Sequence, residues 1–348
     1  MSTQSVSATE ARRVATGGAH AKAILLGEHA VVYGAPALAL PLPALNCRAT
    51  VSRSERTRPG PLRLRRTVPD PAPVTAPVPV PVPVEQRLDE ETEEDAPEEF
   101  RLLLDAFARR AGLRGTPSLE VLLHSGIPAG RGLGSSAANA RALVHALDSL
   151  FATGLGERDV FELVQVSERS AHGLASGIDA LTTGSTGPVL LAEGRRSTPP
   201  VGAGFQVVVA DSGSGCGTRK AVTMLRGAFA RDPGHRARFV DRSAALTRAA
   251  LGDLADGRLA ALGRRLTAAH ELLAGLGLTT ERTDTLAGAA LGAGALGAKM
   301  SGGGLGGCVL ALTATPEEAD AVAGALSRGH GARTWTTPVA EGAGHDGF

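Results

Sequence analysis

The stretch Ile127-Pro128-Ala129-Gly130-Arg131-Gly132-Leu133-Gly134-Ser135-Ser136-Ala137-Ala138 organises the reading of this chain. Glycines at alternate positions (130, 132 and 134) precede two serines, and an alanine-rich run of helical character follows through Leu147. Upstream, Leu119-Glu120-Val121-Leu122-Leu123-His124 has the branched and aliphatic composition of a strand. Strand, glycine turn, serine pair and helix, in that order, leave bare backbone N–H groups at the positive end of a helix. Such an end binds anions, because unpaired amides and the macrodipole act together. Glycine lets the backbone come close to a phosphate and adopt positive φ. The serine hydroxyls fall where they can cap the helix or ligate a metal. A nucleotide-phosphate cradle is the first expectation. With 45 glycines in the chain, an ordinary loop capped by Ser135 accounts for the same residues. The stretch has neither the Gly-Lys-Ser/Thr ending of a P-loop nor the glycine spacing of a dinucleotide fold.

A length of 348 residues allows two domains with sizeable cores. The formal net charge of +1 gives no bulk electrostatic argument for nucleic acid or membrane. Cys47, Cys216 and Cys308 are far apart and form no Cys-x-x-Cys pair. This pattern points to a reducing compartment and away from a zinc or disulfide framework. The N-terminus has scattered charges and no apolar core of a secretory signal, and no run approaches the roughly 20 apolar residues of a membrane span. A soluble cytoplasmic protein is expected.

Residues 1 to about 15 read as a frayed tail, and Ala19 to Leu26 as a strand stopped at Gly27. Ala30 to Gly34 is a short apolar piece, with further strands expected at 37–42 and 47–53. Pro59 to Val84 is compositionally separate and ends in four Pro-Val repeats, which suit an extended surface insertion. Asp89 to Glu99 is acidic and solvated in this reading. It runs into an amphipathic helix with Phe100, Leu103, Leu104, Phe107, Ala108 and Ala111 on one face. Further helices are expected at 159–171, 219–230, 236–256, 258–275, 280–292 and 316–328. Strands are expected at 187–192, 205–210, 308–312 and 332–337. The segment 194–204, with Pro199-Pro200, divides residues 1–200 from 201–348.

Phosphoryl transfer needs the phosphates held, a metal bridging them, a positive charge near the transferred group and the acceptor hydroxyl oriented. Lys22 lies on an apolar strand ahead of Gly27-Glu28-His29, although a lysine there also snorkels from a strand edge. Glu168 is followed eleven positions later by Asp179, across the turn-rich stretch from His172. Two carboxylates so linked could converge, one on a magnesium ion and one as a base; a solvated glutamate and a capping aspartate read equally well from local sequence. Thr218 either caps the helix after it or bonds a substrate. Gly302 to Gly307, interrupted only by Leu305, suits close approach to a ligand.

Taken together, these stretches resemble the GHMP kinases over about residues 16–337. Ala21 to Gly34, Pro128 to Ala138 and Lys299 to Cys308 are similar to the three motifs of that family, in order. His172-Gly173-Leu174-Ala175-Ser176-Gly177-Ile178-Asp179 also fits. Glu28-His29-Ala30-Val31-Val32-Tyr33-Gly34 is the form carried by the members that phosphorylate mevalonate.

The resemblance implies an α+β, two-domain fold: an N-terminal domain with a left-handed βαβ unit and a ferredoxin-like C-terminal domain. It implies transfer of the ATP γ-phosphoryl group to the 5-hydroxyl of mevalonate. Pro128, Gly130, Arg131, Gly132, Leu133, Gly134, Ser135 and Ser136 would bind ATP, and Ser136 with Glu168 would ligate Mg2+. Asp179 would accept or orient the hydroxyl proton, with Lys22 beside it as counter-charge to carboxylate and phosphoryl. Glu28, His29, Thr218, Gly302 and Gly303 would line the substrate pocket, His29 as a partner for the mevalonate carboxylate. A kinase for phosphomevalonate or another small alcohol, and a non-catalytic nucleotide-binding regulator, are the alternatives. No nucleic-acid or membrane partner is expected; a homodimer stands open.

Overall fold

The computed structural model describes residues 13–53, 63–67, 92–173, 175–215 and 217–346. In chain order the first elements are β1 Val14–Leu26, a 3-10 turn at Ala30–Tyr33, β2 Ala37–Arg53, β3 Arg63–Thr67, β4 Thr92–Asp95, α1 Glu98–Arg110 and β5 Leu119–Ser125. Next come α2 Ser135–Phe151, α3 Glu157–His172, α4 Ile178–Thr182, β6 Val189–Ala192 and β7 Arg195–Thr198. The remainder is β8 Phe205–Asp211, α5 Thr218–Arg231, α6 Pro233–Ala255, α7 Leu259–Ala274, α8 Glu281–Gly292, β9 Gly297–Ser301, β10 Cys308–Thr313, α9 Pro316–Gly324 with a π turn to Gly329, β11 Arg333–Val339 and β12 His345–Asp346.

Two sheets form. The first runs β12-β7-β6-β2-β5-β3-β4, with β1 antiparallel on β2. The second runs β11-β8-β10-β9, every neighbour antiparallel. The chain order strand, helices, two strands, helix, strand is the ferredoxin-like pattern. The glycine loop after β5 delivers α2 onto β1 and β2. Ala137, Ala138, Ala140, Ala142 and Ala146 are buried there, and their small side chains let the helix settle close to the sheet. That contact fixes where the start of α2 points.

Several expectations change. The strands expected at 37–42 and 47–53 are one strand, β2. Its register on β1 jumps from Asn46 opposite His20 to Leu42 opposite Ala21, and this bulge passes over Pro43. Pro41 is tolerated because that part of β2 pairs only with β1: β6 takes 37–39 and β5 takes 47–53. Within the expected insertion, residues 63–67 form β3, parallel to β5, and the acidic run contributes β4. The Pro-Val repeats lie outside the described residues. β1 begins at Val14, inside the expected tail; residues 1–12 are not described. The 194–204 segment contains β7, a hairpin partner of β6, and β12 returns to pair with it.

Candidate functional site

A cavity of about 540 Å³ is lined from β1, the 130–136 loop, α3, α4, α5 and the 302–303 turn. Gly130, Gly132 and Gly134 have φ of 67°, 77° and 71°, a left-handed backbone that residues with a Cβ resist. Gly134 is the cap residue of α2, and no side chain caps that helix. Ser135 is therefore its first helical residue and not its cap, so the first-turn amides keep their capacity for an anion. Gly130, Gly132, Gly134, Ser135 and Ser136 face the cavity. Pro128, Arg131 and Leu133 do not. Leu133 is buried, and Arg131 turns away to pair with Asp211 at 3.3 Å and donate to the Gly213 carbonyl at 3.2 Å.

Lys22 ties this loop to the carboxylates. It is 2% exposed; its Nζ donates to the Gly132 carbonyl at 3.2 Å and pairs with Asp179 at 3.0 Å. Its backbone N–H donates to the Leu133 carbonyl at 3.0 Å. A Cβ on Gly134 would stand 2.8 Å from the Lys22 side chain, so that glycine makes room for the lysine. Asp179 sits in the first turn of α4 and opens onto the cavity.

Glu168, in the last turn of α3, is 5% exposed and accepts a hydrogen bond from Ser136. Its Oε1 is buried without a hydrogen-bond partner. Burial, and then the Asp179 charge, push its carboxyl above the usual range, against the pull of the Ser136 hydroxyl. Here a bare carboxylate oxygen, a hydroxyl and a second carboxylate, the last already paired with Lys22, form a hard-oxygen set. Mg2+ fits that set, since it takes few protein oxygens and leaves the rest of its shell to phosphate and water.

Glu28 and His29 lie where the resemblance implies, and only the role of His29 changes. Both line the cavity, but Glu28 is 3% exposed and paired with the wholly buried Lys299 of β9. Lys299 also donates to the carbonyls of Ile24 at 3.3 Å and Met300 at 2.6 Å. His29 directs Nε2 at the Gly303 carbonyl, 3.1 Å away. The carbonyl only accepts, so Nε2 carries the proton and Nδ1 is left as an acceptor. Burial, helped by the Lys299 charge and opposed by the bond to Gly303, lowers the His29 pKa to about 4. A ring neutral at pH 7 that offers a lone pair does not partner a carboxylate. It suits a hydroxyl donor.

Gly302 and Gly303 close the wall. A Cβ on Gly302 would stand 2.7 Å from the Gly132 Cα, and Gly303 abuts Thr218, the first residue of α5. Three polar residues on this wall escaped the sequence reading: Gln165 on α3, Arg226 on α5 and Arg236 on α6. Thr218, Val222 and Arg226 fall at i, i+4 and i+8, and that spacing was the available signal. The Arg236 guanidinium lies 6.0 Å over the Tyr33 ring. No helix of the described residues is long and apolar enough to cross a membrane.

Residues 100–187 match the GHMP kinases N terminal domain, and residues 250–332 match the GHMP kinases C terminal domain. The chain is 30% identical over 309 residues to a mevalonate kinase of Pyrococcus horikoshii, covering 84% of this chain and 87% of that one. Its fold is similar to that of the L. major mevalonate kinase solved with R-mevalonate, with a TM-score of 0.74, 23% identity and coverage of 94% and 96%. It is also similar to the Streptococcus pneumoniae phosphomevalonate kinase solved with phosphomevalonate and AMPPNP, with a TM-score of 0.72, 16% identity and coverage of 93% and 99%. The fold alone therefore does not choose between these two acceptors; the sequence likeness bears on that.

Proposed function

Because the chain belongs to the GHMP kinase family, we propose that it is a mevalonate kinase, which moves the γ-phosphoryl group of ATP to the 5-hydroxyl of mevalonate and releases ADP. The observation that carries this reading is the Lys22–Asp179 pair, 3.0 Å apart and anchored on the Gly132 carbonyl. It brings a cation and a carboxylate together at the mouth of the phosphate loop, where the transferring group and the acceptor hydroxyl must meet.

In this mechanism the amides of 130–136 hold the phosphates. Ser136 and Glu168 would hold Mg2+, which when bound neutralises phosphate charge and orients the γ-group. Asp179 accepts the hydrogen bond of the 5-hydroxyl and takes its proton as the O–P bond forms. Lys22 offsets charge on the equatorial phosphoryl oxygens. The neutral His29 accepts from a substrate hydroxyl, and Thr218 with Gly302 and Gly303 completes the wall. The mevalonate carboxylate falls to Arg226, which lines the cavity on α5, since guanidinium suits a carboxylate bidentately. We divide the chain near residue 200 and assign the enzyme to the cytoplasm.

Coupled measurement of ADP release with ATP, Mg2+ and mevalonate tests the reading; turnover that requires all three is expected. Faster turnover with phosphomevalonate or another small alcohol would reassign the acceptor. ATP binding without turnover on any alcohol would make the chain a non-catalytic nucleotide binder.

A further inference from the structure

Arg141, on α2, is 1% exposed and heads the fully buried side chains by volume. Its guanidinium leaves α2 and joins two other helices. Nη1 donates to Glu157, in the first turn of α3, at 3.1 Å, and Nη2 donates to the Ala180 carbonyl of α4 at 3.0 Å. α2 carries Ser136, α3 carries Glu168 and α4 carries Asp179. One side chain thus meets all three helices that present the proposed metal and hydroxyl groups.

α4 spans five residues, too few to hold a helix by its own hydrogen bonds, so its position depends on what its ends bond. The Ile178 carbonyl is met locally by Thr182 Oγ1 at 2.7 Å, and that of Asp179 by the Thr183 N–H at 3.1 Å. The carbonyl of Ala180, the residue after Asp179, is met across the interior by Arg141. Space for this is built in, because a Cβ on Gly184 would clash with the guanidinium at its Cζ. Stability alone does not favour the arrangement. Arg141 Nε is buried without a partner, while Glu157 is 55% exposed, so the cation is desolvated and its counter-charge is not. An apolar side chain of similar length would remove the unmet Nε and the desolvated charge, but would lose the bond to the Ala180 carbonyl.

We propose that Arg141 is a positioning residue that holds Asp179 in register with Ser136 and Glu168. The inference rests on reading Asp179 as the group that orients the acceptor hydroxyl. In Arg141→Met, kcat should fall about tenfold to a hundredfold, the effect of a displacement of about 1 Å at a reacting group. KM for ATP should stay within about twofold, and the melting temperature within a few degrees. Arg141→Lys reaches Glu157 or the Ala180 carbonyl but lacks the fork to hold both, so it should recover part of kcat. Gly184→Ala keeps the charge and displaces the guanidinium; it should lower kcat in the same selective way, and it decides the matter if Arg141→Met does not fold. Asp179→Asn is run alongside. Native kcat in Asp179→Asn would sink the functional reading and this inference with it. Loss in Asp179→Asn, with Arg141→Met and Gly184→Ala both within about threefold of the parent kcat, would overturn the inference alone. So would activity that falls only in step with melting temperature.

Discussion

Lys22 with Asp179 and Lys299 with Glu28 are both buried lysines paired with a carboxylate beside one cavity, yet they differ in what water and ligands can reach. The side chain of Asp179 is 33% exposed, whereas that of Glu28 is 2% exposed. The open pair leaves a carboxylate able to meet a hydroxyl. In the sealed pair the partners of Lys299 are inside the protein: it bonds Glu28 and the carbonyls of Ile24 and Met300, and so pins the chain after β1 to β9. Breaking the open pair should therefore cost rate, and breaking the sealed pair should cost stability.

The largest effect is expected at Asp179. Asp179→Asn keeps the shape but removes the proton acceptor, and kcat should fall about 10²–10⁴-fold. ATP affinity, measured by titration, should change little, because the phosphate loop is untouched. Near-native kcat would remove Asp179 from the chemistry and dissolve the contrast between the pairs. At the sealed pair, Lys299→Met leaves a buried carboxylate without its cation, which should lower unfolding free energy by about 3–5 kcal/mol in urea titrations. Adding Glu28→Leu should recover much of that loss. A double variant as unstable as the sum of the singles would show the two side chains act independently.

A third effect separates charge from shape in the cavity. Arg226→Met should raise KM for mevalonate roughly tenfold to a hundredfold, the worth of a hydrogen bond to a charged group. The KM for ATP should hold. Equal loss toward both substrates would remove Arg226 from carboxylate recognition.

The contrast also explains what could be read in advance. The loop and α2 were legible because glycine spacing and helix periodicity are local properties, whereas local sequence left Glu168 and Asp179 open and only the joint resemblance of several motifs singled them out. The amphipathic helix from Phe100 was legible for the same reason, and Phe100, Leu103, Leu104, Phe107 and Ala108 are buried in it. What Lys22 and Lys299 do was not legible locally, since both are lysines on short apolar strands. Their difference arises from partners 157 and 271 positions away, the first being 179 − 22 and the second the separation to Glu28. The fusion of two expected strands into β2 was hidden by Pro41 and Pro43, because only tertiary pairing reveals that their missing N–H groups face no neighbour. The direction of the Arg131 side chain was not legible for the same reason, since its ion pair is with Asp211, 80 positions away (211 − 131).

The smallest effect measures how far the sealed pair reaches. His29 ionises near pH 4 in the folded chain, against about 6.5 for an unperturbed ring, chiefly through burial and in part through the Lys299 charge. Between those values the unfolded chain binds the proton and the folded chain does not, so this residue makes stability fall as pH drops from 6.5 and level off near 4. His29 has a φ of 56°, where asparagine is well tolerated, so His29→Asn removes the titration with little backbone strain. Urea midpoints of parent and variant should diverge with pH inside that window and run parallel outside it, other titrating groups cancelling in the difference. In a Lys299→Met background the divergence should shrink, because removing the lysine charge lets the folded ring take its proton at higher pH. An unchanged divergence would mean that burial alone keeps His29 neutral, and that the influence of the sealed pair ends at the backbone it pins.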